Sequence, residues 1–425
     1  MVFERTVEFK DDLFVENDLK TLHNEEDLRN SKLHLSQDLQ VSEIDLMEYK
    51  NNAFHFIYKA TLALAIPIQP INFRSSRKVE ITKWFCLVFF VFKTVTISLA
   101  LTHIYKMLPD WSSRIAYYIF NFFSYFSMIT LLSKRQQIYS AFQTVLNLSA
   151  RLSPEKFVGS KFIKFELLTW VLSTFSLMVI FILFFFYQEW NDYFKALHLP
   201  ILGYYKNSTT YTWIIVFGVV SSHTTSFAMC ALSVILVYNA FLAAGGVVDS
   251  YCKMIQRQKL YESGPKAITR NLILFREISS SVKSVDDAVN ECSFFILGTV
   301  ISSFFATIAV MFSASPSFQT LVARMYVGLT LVGGLGIFFI MTISGNLVLA
   351  NSENLKSAIM DMSEEIAKST ADESTMRLFI LLSDNIRNSD MGLTAADMFI
   401  IDKGLILTVF GMVTTYSFLL FQINS

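Results

Sequence analysis

The residues whose types and spacing point most directly to chemistry lie in the last stretch of the chain, from Gly404 to Ser425. There Thr408, Gly411, Thr415, Leu419 and Gln422/Ile423 recur at intervals of three and four, which places them close to one face of a helix. The stretch is apolar and long enough to cross ~30 Å of hydrocarbon at ~1.5 Å per residue. Two uses of such a face are open. Small residues let membrane helices approach closely, so it can be a packing surface. Alternatively it lines a water path, with Leu419 and Ile423 as apolar constrictions that stop ions by dewetting and Gln422 as a polar ring between them.

Other chemistries find no residues to carry them. The sequence has no P-loop, dinucleotide fingerprint, His-Glu-x-x-His or Gly-x-Ser-x-Gly elbow, and its acids and histidines are scattered, so no catalytic residue, metal site or cofactor is assigned. The four cysteines, Cys86, Cys230, Cys252 and Cys292, show no CxxC spacing and read as packed thiols. A formal net charge of zero gives no electrostatic case for nucleic acid. Ionisable residues inside apolar stretches need partners. Lys93 and Glu166 read as internal pairs, and Asp402 as a coupling contact at the inner start of the last span.

What positions these residues is a membrane bundle. Of 425 residues 53% are hydrophobic and 16% charged, with a mean hydropathy of +0.45; soluble domains carry about 25% charge. The fold class is therefore an all-α membrane protein. Seven transmembrane helices are predicted, at 81–105, 113–133, 163–187, 211–244, 291–313, 321–350 and 396–422. Residues 1–50 are polar and form a separate cytoplasmic segment without a core of their own. Residues 51–350 form a six-span bundle with a short re-entrant helix at 54–68, closed by Pro67 and Pro70. A polar stretch at 247–284 keeps helical patterning, as does 351–395, so these read as cytosolic extensions that associate into an anchor. Residues 396–425 complete the chain with the last span.

Lys and Arg placement sets the orientation. Arg74, Arg77, Lys78 and Lys83 flank the start of the first span, and further clusters lie between spans two and three, four and five, and six and seven. The opposite connections carry little, namely Lys106 and Arg114, Lys195 and Lys206, and Arg324. The N-terminus is thus placed in the cytoplasm and the C-terminus outside. The sequon Asn207-Ser-Thr209 falls in an exterior loop and is a glycosylation candidate. An N-terminus inside, with no Asp-Arg-Tyr or Asn-Pro-x-x-Tyr motif, argues against a G-protein-coupled receptor. The lack of paired repeats argues against a transporter.

A small-molecule pocket needs a concave, aromatic wall with a few polar groups. The outer halves of spans two to four offer Tyr117, Tyr118, Asn121, Tyr125, Gln188, Trp190 and Trp213. An interfacial aromatic belt explains Tyr and Trp at these depths equally well; Asn121 is the least belt-like of the set.

Thr415-Tyr416, five mostly apolar residues and Gln422 at the extreme C-terminus resemble the closing signature of the arthropod gustatory receptors, which are related to the odorant receptors. Gly392, Phe399 and Asp402 stand where that family often carries a Gly, an aromatic and an Asp. The chain departs from the signature at Ile423, where Phe is usual, and at Ser417, where the sweet-taste subgroup carries Glu. The resemblance implies a tastant-gated, weakly selective cation channel in a plasma membrane of sensory neurons. It further implies a homo- or hetero-tetramer whose four final helices surround one pore, with a small-molecule tastant, permeating cations and membrane lipids as partners. The alternatives are an odorant-receptor-type subunit and a seven-span receptor that signals without conducting.

Overall fold

Hydrocarbon offers no water to backbone N–H and C=O groups, so an apolar chain that crosses it must satisfy them within helices. The computed structural model describes residues 57, 60–62, 84, 87–95, 98, 111–152, 160–187, 209–258, 264–311, 321–367 and 372–424. These all lie in one unit, Asn52–Ser425, and are helical apart from one small hairpin and its flanks. In chain order the elements are α1 (Trp111–Ser133), α2 (Arg135–Leu152), α3 (Ser160–Tyr187), α4 (Thr209–Arg257) and α5 (Gly264–Met311). They continue with α6 (Leu321–Ala367), α7 (Glu373–Arg387), β1 (Thr394–Ala395), β2 (Phe399–Ile400) and α8 (Gly404–Asn424). Among the described residues, four helices are long and apolar enough to cross a membrane: α4, α5, α6 and α8.

The long helices outrun any bilayer. α4, α5 and α6 have 49, 48 and 47 residues, or roughly 70 Å each at the α-helical rise. Their surplus is charged on one side and apolar on the other. In α5 the buried positions Ile268, Leu272, Phe275, Val282, Val289, Cys292 and Ile296 run through the charged half into the apolar half as one stripe, at the three-to-four spacing of a packed helix face. Gly264, at φ 76°, turns the chain into α5, and Pro265 in the first turn removes an N–H that had no partner there. Hydroxyls in the apolar halves bond their own helix: Thr130 Oγ1 to the Phe126 carbonyl at 2.9 Å, Thr342 Oγ1 to Phe338 at 2.8 Å.

α1 lies along α5, and α4 along α6. Phe123 of α1 sits over Gly298 of α5, where a Cβ would come within 2.7 Å of the Phe123 ring. The rings of Phe126 and Phe295 meet beside it at 5.6 Å. In the charged half, Tyr251 is fully buried and its hydroxyl donates to the Asn271 carbonyl at 3.0 Å. α7 closes this end, burying Phe379, Leu382 and Ile386.

Several sequence expectations shift in detail. The spans predicted at 211–244, 291–313 and 321–350 are parts of much longer unbroken helices. The last helix starts at Gly404 rather than 396, because residues 394–400 form the antiparallel hairpin β1–β2. α2 was not anticipated; it occupies the connection after the second expected span and buries Ile138, Phe142, Val145 and Leu148. Of the 54–68 stretch, residues 57 and 60–62 are described as helical, with Ile57 and Thr61 buried. Of the first expected span, residues 84, 87–95 and 98 are described, also as helix. The 1–50 segment lies outside the described residues.

Candidate functional site

The site is built on α8, and its two faces differ sharply. Val409 and Leu420 are buried, Val413 and Tyr416 half-buried, and these four share one side at helical spacing. Tyr416 meets Phe305 of α5 edge to face, ring centroids 4.8 Å apart, and Phe410 approaches Phe339 of α6 at 6.2 Å. The opposite side carries Thr408, Gly411, Thr415, Leu419 and Gln422, all exposed. Thr408 and Thr415 donate to the carbonyls of Gly404 and Gly411 at 3.1 and 2.9 Å, which leaves the hydroxyl lone pairs turned outward as acceptors. Of the apolar stretch of α8 only 11% is buried, against 72% for α4. A helix this apolar and this uncovered needs lipid, neighbouring helices or both around it. The side chain of Ile423 lies outside the described residues.

The approach to α8 is held by polar contacts. Asp402, half-buried, accepts from the Leu405 N–H through Oδ1 at 3.2 Å, so it caps the first turn and complements the positive end of the helix dipole. Before it, Ala396 and Asp397 take φ of 51° and 56°, a region that costs L-residues energy unless the surroundings impose it. α5 imposes it. The Asn290 carbonyl accepts from the Ala396 N–H at 3.0 Å, and Asn290 Nδ2 donates to Asp397 Oδ1 at 3.1 Å. One turn earlier on α5, Asp286 accepts from the Thr394 N–H and hydroxyl at 2.6 and 2.9 Å. Asp286 stands in the charged half of α5, before its apolar stretch. Burial pushes its carboxyl above the usual range; the two bonds from Thr394 pull it back, and the nearby Asp397 and Asp287 charges raise it again.

Lys134, at the joint of α1 and α2, reaches the same place. Its Nζ donates to the Asp287 carbonyl at 2.9 Å and to Asn290 Oδ1 at 3.2 Å, and pairs with Glu291 Oε1 at 3.0 Å. None of Lys134, Asp286, Asn290, Thr394 and Asp397 was singled out as a site residue from sequence. The available signal was Asp286 and Asn290, polar residues four apart inside the buried stripe of α5.

Of the expected pocket, α1 brings three members together. Asn121 is 2% exposed, Tyr118 and Tyr125 are half-buried, and the Tyr125 hydroxyl bonds Thr94 Oγ1 at 3.0 Å with its ring 5.9 Å from Phe90. Lys93, beside Thr94, is buried. Glu166 of α3 accepts from Asn239 Nδ2 of α4 at 2.9 Å. The side chains of Tyr117 and Trp213 lie outside the described residues, as do Gln188, Trp190 and the sequon residue Asn207. A polar cleft of about 240 Å³ lies elsewhere, between the charged halves of α4 and α6, lined by Asp249, Lys253, Asn351, Asn354 and Asp361 among others. Among the described residues no group of His, Cys, Asp and Glu could hold a metal ion.

Comparison with known families matches residues 85–425 to the family described as 7tm Chemosensory receptor. The fold is similar to that of the olfactory receptor OR5 from the insect Machilis hrabei, solved in complex with eugenol, at 14% identity and a TM-score of 0.55. That match covers 90% of this chain and 99% of the other. A second OR5 structure matches at 13% identity and a TM-score of 0.54, covering 89% and 100%. No curated protein sequence matches the chain.

Proposed function

The chain belongs to the 7tm chemosensory receptor family, and from that premise we propose that it is a ligand-gated, weakly selective cation channel of the gustatory type. Four copies surround one pore lined by α8, with Thr415, Leu419, Gln422 and Ile423 on the lumen side. The observation that carries the reading is the division of α8 into an anchored face and an uncovered one. Tyr416 and Leu420 hold it to its own subunit, while the face bearing Thr408, Gly411, Thr415, Leu419 and Gln422 looks away from it. A water path accounts together for the hydroxyls, the amide and the apolar Leu419 on that one uncovered side. No acidic or basic ring stands on that face, which fits weak selectivity.

The chain crosses the plasma membrane seven times, N-terminus in the cytoplasm and C-terminus outside. The charged halves of α4, α5 and α6, together with α7, form the cytosolic anchor. Its apolar side chains Met360 and Ile380, with Met398 and Ile400 of the adjoining hairpin, are exposed on the single subunit, and in a tetramer they meet neighbouring copies. A small organic molecule binds in the bundle around Tyr118, Asn121 and Tyr125, and shifts the channel only by its differential affinity for the open state. An OR5 fold is compatible with a taste or an odorant receptor; the Thr415-Tyr416…Gln422 signature favours taste.

The test is whole-cell current in heterologous cells expressing this chain alone, under sugars, bitter compounds and volatile odorants. Cation current evoked by a non-volatile tastant is the expected result. Current evoked by volatiles alone overturns the taste assignment. Ligand binding by the purified protein without current in a lipid bilayer overturns conduction.

A further inference from the structure

We propose that Lys134 and Asn290 are positioning residues of the gate, joining the α1–α2 joint to the hairpin that carries α8 and holding α8 in its closed placement. The proposal rests on the channel reading for its consequence, but the link itself is a matter of geometry. Asn290, 5% exposed, uses both ends of its side-chain amide on different elements. Oδ1 accepts from Lys134 Nζ at 3.2 Å and from the Glu291 N–H at 2.7 Å, and Nδ2 donates to Asp397 Oδ1 at 3.1 Å, while its main-chain carbonyl takes the Ala396 N–H at 3.0 Å. One buried residue thereby connects the helix that bears Asn121 and Tyr125 with the turn that precedes Gly404.

The polar link differs in kind from the apolar contacts around it. Phe123 on Gly298 and Phe126 on Phe295 join α1 to α5, yet such contacts are non-directional and tolerate small slides. A hydrogen bond is directional, so such a slide breaks the bond from Lys134 Nζ and leaves Asn290 Oδ1 with the Glu291 N–H alone. Lys134 spends its three protons on the Asp287 carbonyl, Asn290 and Glu291, so the joint between α1 and α2 is pinned to one turn of α5. On the other side, Ala396 and Asp397 are in a left-handed conformation that L-residues leave when nothing imposes it. Asn290 imposes it from its carbonyl and its amide together. A shift of α1 that draws Lys134 off Asn290 therefore loosens the turn, and α8 starts immediately after that turn.

The experiment has two arms on the full-length protein. In the first, hydrogen–deuterium exchange is followed over residues 393–403 of detergent-purified, unliganded protein. Lys134→Met and Asn290→Ala should raise exchange there at least tenfold. Lys134→Arg should restore protection, and Arg151→Met, which breaks the Arg151–Glu277 pair elsewhere on the same helices, should leave it unchanged. Asn290→Asp keeps the lysine contact and sets a second carboxylate against Asp397, so it too should raise exchange, without a cavity. In the second arm, open probability is recorded from the same proteins in planar bilayers without ligand. Lys134→Met and Asn290→Asp should raise it at least fivefold at unchanged single-channel conductance. Unaltered exchange in 393–403 overturns the link. Raised exchange with unaltered open probability makes it structural glue and overturns the gating role. A wild-type protein that never conducts while the exchange pattern holds overturns the channel reading and leaves the link standing.

Discussion

Gly345 of α6 lies directly against the backbone of Ile401, so that a Cβ on Gly345 would come within 2.7 Å of both the Ile401 carbonyl oxygen and its Cγ2. Ile401 is fully buried and its N–H donates to the Leu393 carbonyl at 2.9 Å, closing the hairpin just ahead of α8. The opposing atom is main chain, which cannot swing aside. Gly345→Ala should therefore cost about 1–3 kcal/mol, the usual penalty of overpacking, read as a lowered unfolding temperature of the purified protein. Gly246→Ala, also in a helix but with nothing within 4 Å of the new Cβ, should instead be neutral or stabilising by up to ~1 kcal/mol.

Tyr416 and Phe305 form the contact that fixes the C-terminal half of α8 to α5. Edge-to-face ring pairs contribute about 0.5–1.5 kcal/mol beyond the area they bury. A double-mutant cycle of Tyr416→Ala and Phe305→Ala, read by denaturant or thermal stability, should return a coupling energy in that range. The same cycle with Phe339→Ala in place of Phe305→Ala should return near zero, because Phe339 pairs with Phe410 rather than with Tyr416.

How much of this was legible in the sequence depended on which force dominates locally. The long apolar runs announced helices because burial has a period, and the stripe from Ile268 to Ile296 of α5 let the charged extension be read as helix too. α8 starts eight residues after the position the sequence suggests, because the apolar run around Ala396 and Met398 does not itself show the turn there. The conformation of that turn is imposed by Asn290 and Asp286, more than a hundred positions away in the chain. α2 is masked in the sequence because Lys134, Arg135 and Arg151 look like loop charges between two spans, although Ile138, Phe142 and Val145 already repeat at three and four. The α8 faces followed from spacing alone, whereas the depth of Asn121 and its nearness to Tyr125 needed the packing of α1.

Asp286 and Asp397 both reach Thr394 Oγ1, at 2.9 and 3.3 Å, and one hydroxyl has one proton. With Asp286 ionised that proton serves a single carboxylate. With Asp286 protonated, its own O–H can donate to Thr394, whose proton then turns to Asp397. Burial raises the Asp286 carboxyl above its ordinary value, so the folded protein holds this proton more tightly than the unfolded chain. The stabilising contribution is complete below the unfolded carboxylate pKa and is lost as pH rises through the raised folded value. Asp286→Asn, which mimics the protonated form in shape and donors, should remove this pH-dependent part of the stability. Melting curves of both proteins from mildly acidic to neutral pH check it; parallel curves refute the assignment.

Leu419 and Leu420 are neighbours in sequence and opposites in setting, the first 52% exposed and the second 8%. If the uncovered face of α8 lines the pore, serine at Leu419 or Ile423 wets a constriction that otherwise excludes ions by its apolarity. Leu419→Ser and Ile423→Ser should then raise resting conductance several-fold with surface expression unchanged. Leu420→Ser should do the reverse, lowering the amount of folded protein by opening a cavity against the bundle and leaving resting conductance per channel alone. The pair separates a gate from a packing surface, since a packing surface would make both substitutions act on stability and neither on current. Channels carrying Leu419→Ser that stay silent at rest yet open normally with ligand would place the closed constriction at another level of the helix.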